Sequence, residues 1–152
     1  MAALELLGTF HTGLTVESLD NTLKFLCDGL GYKLISRAGR NPDNQRRVTG
    51  VVGAEVEVAY VEGGNYSLEI LEYKGPADHT TYTPRPCDAG HWHLCLIVND
   101  IHAAYALSEE HGLNMKDREI ITVDQGPNKG NEIFYADIPG GFTIEFTTQM
   151  NG

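Results

Sequence analysis

One short pattern recurs at a fixed separation and limits what this chain can become. His11-Thr-Gly-Leu-Thr-Val16 is echoed by His93-Leu-Cys-Leu-Ile-Val98, so His and Val each return after 82 residues. Self-similarity over that distance in 152 residues implies two related units. Each copy reads as a strand feeding a helix. Leu14 and Val16 share one strand face, as do Leu94, Leu96 and Val98. Ser18 is placed as an N-cap, Leu19, Leu23, Leu26 and Leu30 recur at helical spacing, and Gly31 is placed to end the first helix. In the second helix Asn99 or Asp100 caps, Ile101, Ala104, Tyr105 and Leu107 form the apolar stripe, and Gly112 ends it.

Both halves then turn to strands. Val51 to Val61 and Tyr66 to Tyr73 are β-like, with a Gly63-Gly64-Asn65 turn between them. Ile120 to Val123, Ile133 to Ala136 and Phe142 to Thr147 follow in the second half, with turns at 126–130 and 139–141. Lys74 to Gly90 holds Pro76, Pro84 and Pro86 and has little periodicity. The predicted plan is α+β: two βαβββ modules, at about 8–75 and 90–148, joined by a linker at about 76–89 within a single domain.

The closing strands echo as well. Leu68-Glu69-Ile70 matches Ile144-Glu145-Phe146, and alternation puts each apolar pair on one face and the Glu on the other. A carboxylate on a covered face must be paired, protonated or bound to a metal. His11 and His93 open their modules, and Glu69 and Glu145 close them. Two imidazoles and two carboxylates form a mixed N/O set for a divalent transition metal, with positions left for water or substrate. The His and Glu lie too far apart in sequence for a local ligand motif, so this reading rests on the repeat.

Three stretches extend the pattern: His11-x-Gly-Leu-x-Val with Leu30-Gly31-Tyr32, Gly90-His-Trp-His93 to Asp100-Ile101, and Tyr135-x-Asp-Ile-Pro-Gly-Gly to Ile144-Glu145. Together they resemble the vicinal oxygen chelate superfamily, which includes glyoxalase I, methylmalonyl-CoA epimerase, fosfomycin- and bleomycin-resistance proteins and extradiol dioxygenases. The resemblance spans roughly residues 8 to 148. Asp137-Ile138-Pro139-Gly140-Gly141 departs slightly from the family's usual Asp-Pro-x-Gly turn. The resemblance implies a cupped mixed sheet around one metal, with His11, Glu69, His93 and Glu145 as ligands and edge-to-edge pairing as a homodimer. It also implies a small substrate whose oxygens chelate the metal, with an enolate or other oxyanion stabilised there.

Within such a family, four ligands including Glu69 imply proton transfer, as in an isomerase, epimerase or lyase, with Glu145 or Glu69 moving the proton. A ring-cleaving Fe(II) dioxygenase would need His11, His93 and Glu145 only. Binding-only members lack the metal set and fit this chain least well. The donors accept Ni, Zn, Mn, Co or Fe alike.

Further residues carry softer readings. Tyr135 either donates to a substrate oxygen or is a packed aromatic. His91 shares parity with His93 and lines the mouth of the cup, whereas Glu72 has the opposite parity to Glu69 and faces away. His79, His102 and His111 read as solvated, and Arg46 and Arg47 as a solvated loop. Gly126-Pro-Asn-Lys129-Gly130 reads either as an anion-wrapping loop or as a plain turn.

Composition narrows the partners. Eleven Lys and Arg against 21 Asp and Glu give a net charge of −10, which disfavours nucleic acid and anionic membranes. No apolar run is long enough to span a bilayer, and MAALELLGTF has no signal-peptide character. Cys27, Cys87 and Cys95 lack metal spacing and read as free thiols in a reducing cytoplasm.

Overall fold

The structure, a computed structural model, describes residues 4–149; residues 1–3 of the N-terminal stretch read above for a leader lie outside them. The first module runs β1 (Thr12–Thr15), α1 (Leu19–Leu23), β2 (Lys33–Gly39), α2 (Pro42–Thr49), β3 (Glu55–Gly63) and β4 (Tyr66–Gly75). The second runs β5 (His93–Ile97), α3 (Ile101–Glu110), β6 (Asn114–Met115), β7 (Ile121–Thr122), β8 (Glu132–Asp137) and β9 (Thr143–Thr147). The sequence echo becomes a topological one. Sheet one has the order β1-β4-β3-β2 and sheet two the order β5-β9-β8-β6, with β7 also paired to β8. In each, the opening strand lies at an edge, parallel to the closing strand. The chain is therefore α+β, with two mixed sheets and few helices.

Local chemistry explains the helix starts. Ser18 is extended and its side chain accepts from the Asn21 N–H at 3.2 Å, while the Leu19 N–H donates to Glu72 at 2.8 Å. Two otherwise unpaired donors of the first turn are thus satisfied. Asp100, not Asn99, caps α3 by accepting from the Ala103 N–H at 2.9 Å. Past Leu23 the first helix widens into a π-helical turn at Lys24–Gly29. Leu19, Leu23 and Leu26 are buried as the spacing predicts, but the wider turn also buries Phe25 and leaves Leu30 half-buried.

One buried cluster joins both modules. Leu14, Val16, Leu26, Leu68 and Ile70 from the first belong with Phe134, Ala136, Ile144 and Phe146 from the second. Leu14 with Val16, Leu68 with Ile70, and Ile144 with Phe146 are the apolar pairs that alternation places on one face, so Glu69 and Glu145 turn to the opposite faces. His111 belongs to this joint rather than to solvent. Its ring meets Phe25 edge-on at 5.4 Å, between the helices of the two modules.

Three elements were not located in the sequence: β2, α2 and the two-residue β6. Every residue of β2 is exposed, so it carries no burial alternation to read. After it, Arg46 and Arg47 sit in the last turn of α2, not in a loop. Asn41 caps that helix, Pro42 opens it and Gly50, at φ 76°, ends it. The basic pair lies at the end where helix dipoles favour cations. Near α2, Gln45 donates to the Tyr73 hydroxyl at 3.2 Å, and Ala54, Val56 and Val58 form a second small core. Among the described residues no helix is long and apolar enough to cross a membrane. All three cysteines are free.

Candidate metal centre

The repeat sets out two equivalent clusters. In sheet one, His11 immediately precedes β1, and register places Glu69 of β4 opposite Gly13 and Tyr60 of β3. The His11 Nε2 lies 3.2 Å from Glu69 Oε2, and the Tyr60 hydroxyl donates to Glu69 Oε1 at 2.5 Å. In sheet two, Glu145 of β9 lies opposite Cys95 of β5 and Tyr135 of β8. The His93 Nε2 is 2.9 Å from Glu145 Oε2, and the Tyr135 hydroxyl donates to that same oxygen at 3.1 Å. Each module thus presents a His–Glu–Tyr trio on the sheet face away from the shared core.

The environments bias the phenols toward donating. Burial first, then the Glu145 charge and the hydrogen bond to it, push the Tyr135 hydroxyl up to about 12. Tyr60 is also raised, chiefly by its hydrogen bond to Glu69 and next by burial. Both hydroxyls are therefore neutral donors at physiological pH. Burial, with Glu145 nearby, pushes the Cys95 thiol up to about 11, so this thiol is neutral in the absence of a bound cation.

The two trios differ in one respect. Glu69 is engaged on both oxygens, because the Arg40 guanidinium also lies 3.5 Å from Oε1 and 5.6 Å from the Tyr60 ring centre. His93 and Tyr135 both meet Glu145 at Oε2, and the Cys95 thiol also hydrogen-bonds to the Glu145 carboxylate.

Imidazole nitrogen and carboxylate oxygen are donors that a divalent transition metal accepts, so each pair fits half of such a centre. The second ring nitrogen of His11, Nδ1, is buried without a hydrogen-bond partner among the described residues, so no hydrogen bond there sets its tautomer. Within one chain the halves stay apart. Among the described residues no group of three or more His, Cys, Asp or Glu side chains is placed to hold a metal. The four predicted residues are brought together as His11 with Glu69 and His93 with Glu145, and not as one cluster.

Neighbouring residues divide between expectation and correction. Glu72 faces the helix side, as its parity predicts, and caps α1. Tyr135 is tied to Glu145. His91 bonds to Thr143 at 3.0 Å, and Thr143 donates to Asp137 at 2.6 Å. His79 and His102 are exposed. Residues 126–130 form turns. Sequence reasoning missed Tyr60, Arg40 and Cys95. Tyr60 carried a usable signal, since it lies nine residues before Glu69 while Tyr135 lies ten before Glu145. The one-residue difference hides it from an echo sought at constant separation.

The family model for the glyoxalase/bleomycin resistance protein/dioxygenase superfamily matches residues 10–134. A lactoylglutathione lyase from Haemophilus influenzae is 28% identical over 144 residues, covering 90% of this chain and 88% of its own. A 2-epi-5-epi-valiolone epimerase from an Actinomyces species is 30% identical over 142 residues, covering 89% and 75%. Among solved structures, a glyoxalase family protein from Bacillus cereus superposes with a TM-score of 0.82 at 25% identity, covering 99% of both chains.

Proposed function

The chain belongs to the glyoxalase/bleomycin resistance protein/dioxygenase superfamily, and from that membership we propose that it is a metal-dependent enzyme moving a proton on a small substrate with two adjacent oxygens. The reaction class is isomerase, epimerase or lyase. The observation that carries this is the equivalence of the two trios. Glu69 is as closely joined to His11 and Tyr60 as Glu145 is to His93 and Tyr135. Ring cleavage needs only one carboxylate on the metal, and it gives Glu69 no task.

Completion of the centre follows from the open edges. Among the described residues β1 pairs only with β4, and β5 only with β9. An unpaired edge is a ready template for another strand. In a homodimer that brings these edges together, His11 and Glu69 of one protomer would hold a divalent ion with His93 and Glu145 of the partner subunit. Such an ion supplies Lewis acidity toward a substrate carbonyl, which makes the neighbouring C–H easier to deprotonate. The chain's own groups handle the proton. Glu69 is engaged on both oxygens and serves as a fixed ligand. Glu145 keeps an oxygen clear of His93 and Tyr135 and is the better placed to accept and return a proton. Tyr135, a neutral donor, steadies its other oxygen.

The test is metal analysis with turnover of a thiohemiacetal or an epimerisable substrate. Glu69→Gln is expected to lower metal content, and Glu145→Gln to cut turnover by about 10²-fold or more. A Glu69→Gln protein that retains Fe(II) and consumes oxygen with a catechol would overturn the reading in favour of ring cleavage.

A further inference from the structure

A second concavity lies where the two modules meet. The Glu17 N–H, just past β1, donates to the Gly140 carbonyl in the β8–β9 turn at 2.7 Å, and the segment leading into β5 folds alongside. The result is a cleft of about 470 Å³, within the ordinary size range of small-molecule sites. None of His11, Glu69, His93 or Glu145 lines it.

Its walls have a definite chemistry. On one side the Trp92 ring stacks on Phe142, with centroids 5.9 Å apart and an 18° interplanar angle. Phe142 is nearly buried beneath it while Trp92 stays 40% exposed, so the indole offers part of its surface to the cleft. No Lys or Arg lines the space; His79, tied to the Pro76 carbonyl, and His91, tied to Thr143, line it. Two carboxylates do, and they differ. Asp137 is already neutralised by an ion pair with Lys116, and it also accepts from Thr143. Glu17 has no ion-pair partner among the described residues; it accepts from the Thr81 hydroxyl. Its carboxylate also fills the space a side chain would need at Gly140, whose φ of +62° already favours glycine. Glu17 is thus a positioned negative charge without a counter-charge, beside an aromatic wall.

We propose that this cleft is a second small-molecule site, separate from the metal centre, that takes an aromatic ammonium compound with its ring against Trp92 and its cation at Glu17. An ammonium near an indole gains from cation–π attraction as well as from the carboxylate. An anion of the same shape meets Glu17 and a protein of net charge −10, with no Lys or Arg in the lining to receive it.

Trp92 is the only tryptophan, so its fluorescence reports on the cleft directly. The probes are phenethylamine and phenylacetate, alike in ring and size and opposite in charge, added to the purified protein at neutral pH. Phenethylamine is expected to change Trp92 emission saturably, with an apparent Kd about tenfold or more below that of phenylacetate. Glu17→Gln should bring the two within about threefold, and Glu17→Ala, which also removes the charge, serves if the amide variant does not fold. A flat response to phenethylamine, equal binding of phenylacetate, or a preference that survives in Glu17→Gln would each overturn the site. None of these readouts depends on bound metal or turnover, so failure here and failure of the proposed enzyme activity are separate results.

Discussion

Phe146 is fully buried in the core that both modules share, with its ring 4.9 Å from that of Phe134. Phe146→Ala leaves a cavity that its neighbours only partly fill, and chemical denaturation is expected to show a loss of about 3–5 kcal/mol. Gly63 illustrates the opposite constraint. A Cβ there would lie 2.8 Å from the ring of Tyr32, which is itself nearly buried. Gly63→Ala should therefore lower stability by about 1–3 kcal/mol, and adding Tyr32→Leu should recover part of the loss in the same assay. On the surface, Arg37 bonds Asp20 at 2.6 Å and Glu57 at 2.8 and 3.1 Å. The Arg37 hydrogen bond holds the Glu57 carboxyl below its ordinary 4.5. A lowered carboxylate pKa contributes stability above the unfolded value and loses it as pH falls through the folded one. The stability gap between wild type and Arg37→Met should be constant above about pH 5 and close as pH drops below 4.5.

At the scale of elements, α1 has only five residues before it widens, so its N-terminus depends on partners outside the helix. Ser18 caps from within the chain and Glu72 from β4, a strand distant in sequence. Ser18→Ala should cost about 1 kcal/mol by denaturant titration. Asp100→Ala should cost a similar amount at α3, whose cap is entirely local. Glu72→Gln tests the contact between elements. It keeps an acceptor for the Leu19 N–H but removes the charge that favours a helix N-terminus, so the loss should be about 0.3–1 kcal/mol and shrink in high salt. The loss would be independent of salt if Glu72 acted by shape alone.

At the scale of the molecule, a homodimer whose centres draw one half from each protomer predicts complementation. His11→Ala and His93→Ala each spoil both centres of a homodimer. A mixed dimer of the two variants carries both defects in one centre and leaves the other intact. Mixing the inactive variants after reversible dissociation should therefore restore metal binding and about a quarter of wild-type activity, given random pairing of subunits. No recovery in a mixture shown to have exchanged subunits would mean that each centre is built within one chain.

The sequence by itself determined the repeat and the parts that depend on near neighbours. The helix cap at Ser18, the narrowing of the second cap to Asn99 or Asp100, the apolar faces of β1, β4 and β9, and the outward aim of Glu69 and Glu145 all follow from spacings of two to four residues. His11 and His93 were legible because the repeat supplied long-range information that a single copy lacks. Only the tertiary structure decided the rest. Tyr60 reaches Glu69 through antiparallel register, and Arg40 reaches it after β2, a strand with no burial alternation to reveal it. The π-helical turn that buries Phe25 breaks the very periodicity by which a helix is read. The separation of the two His–Glu pairs in one chain, and the cleft that sets Glu17 near Trp92, both depend on how the modules meet. Such contacts join residues far apart in the chain, and their geometry is fixed by packing rather than by local periodicity.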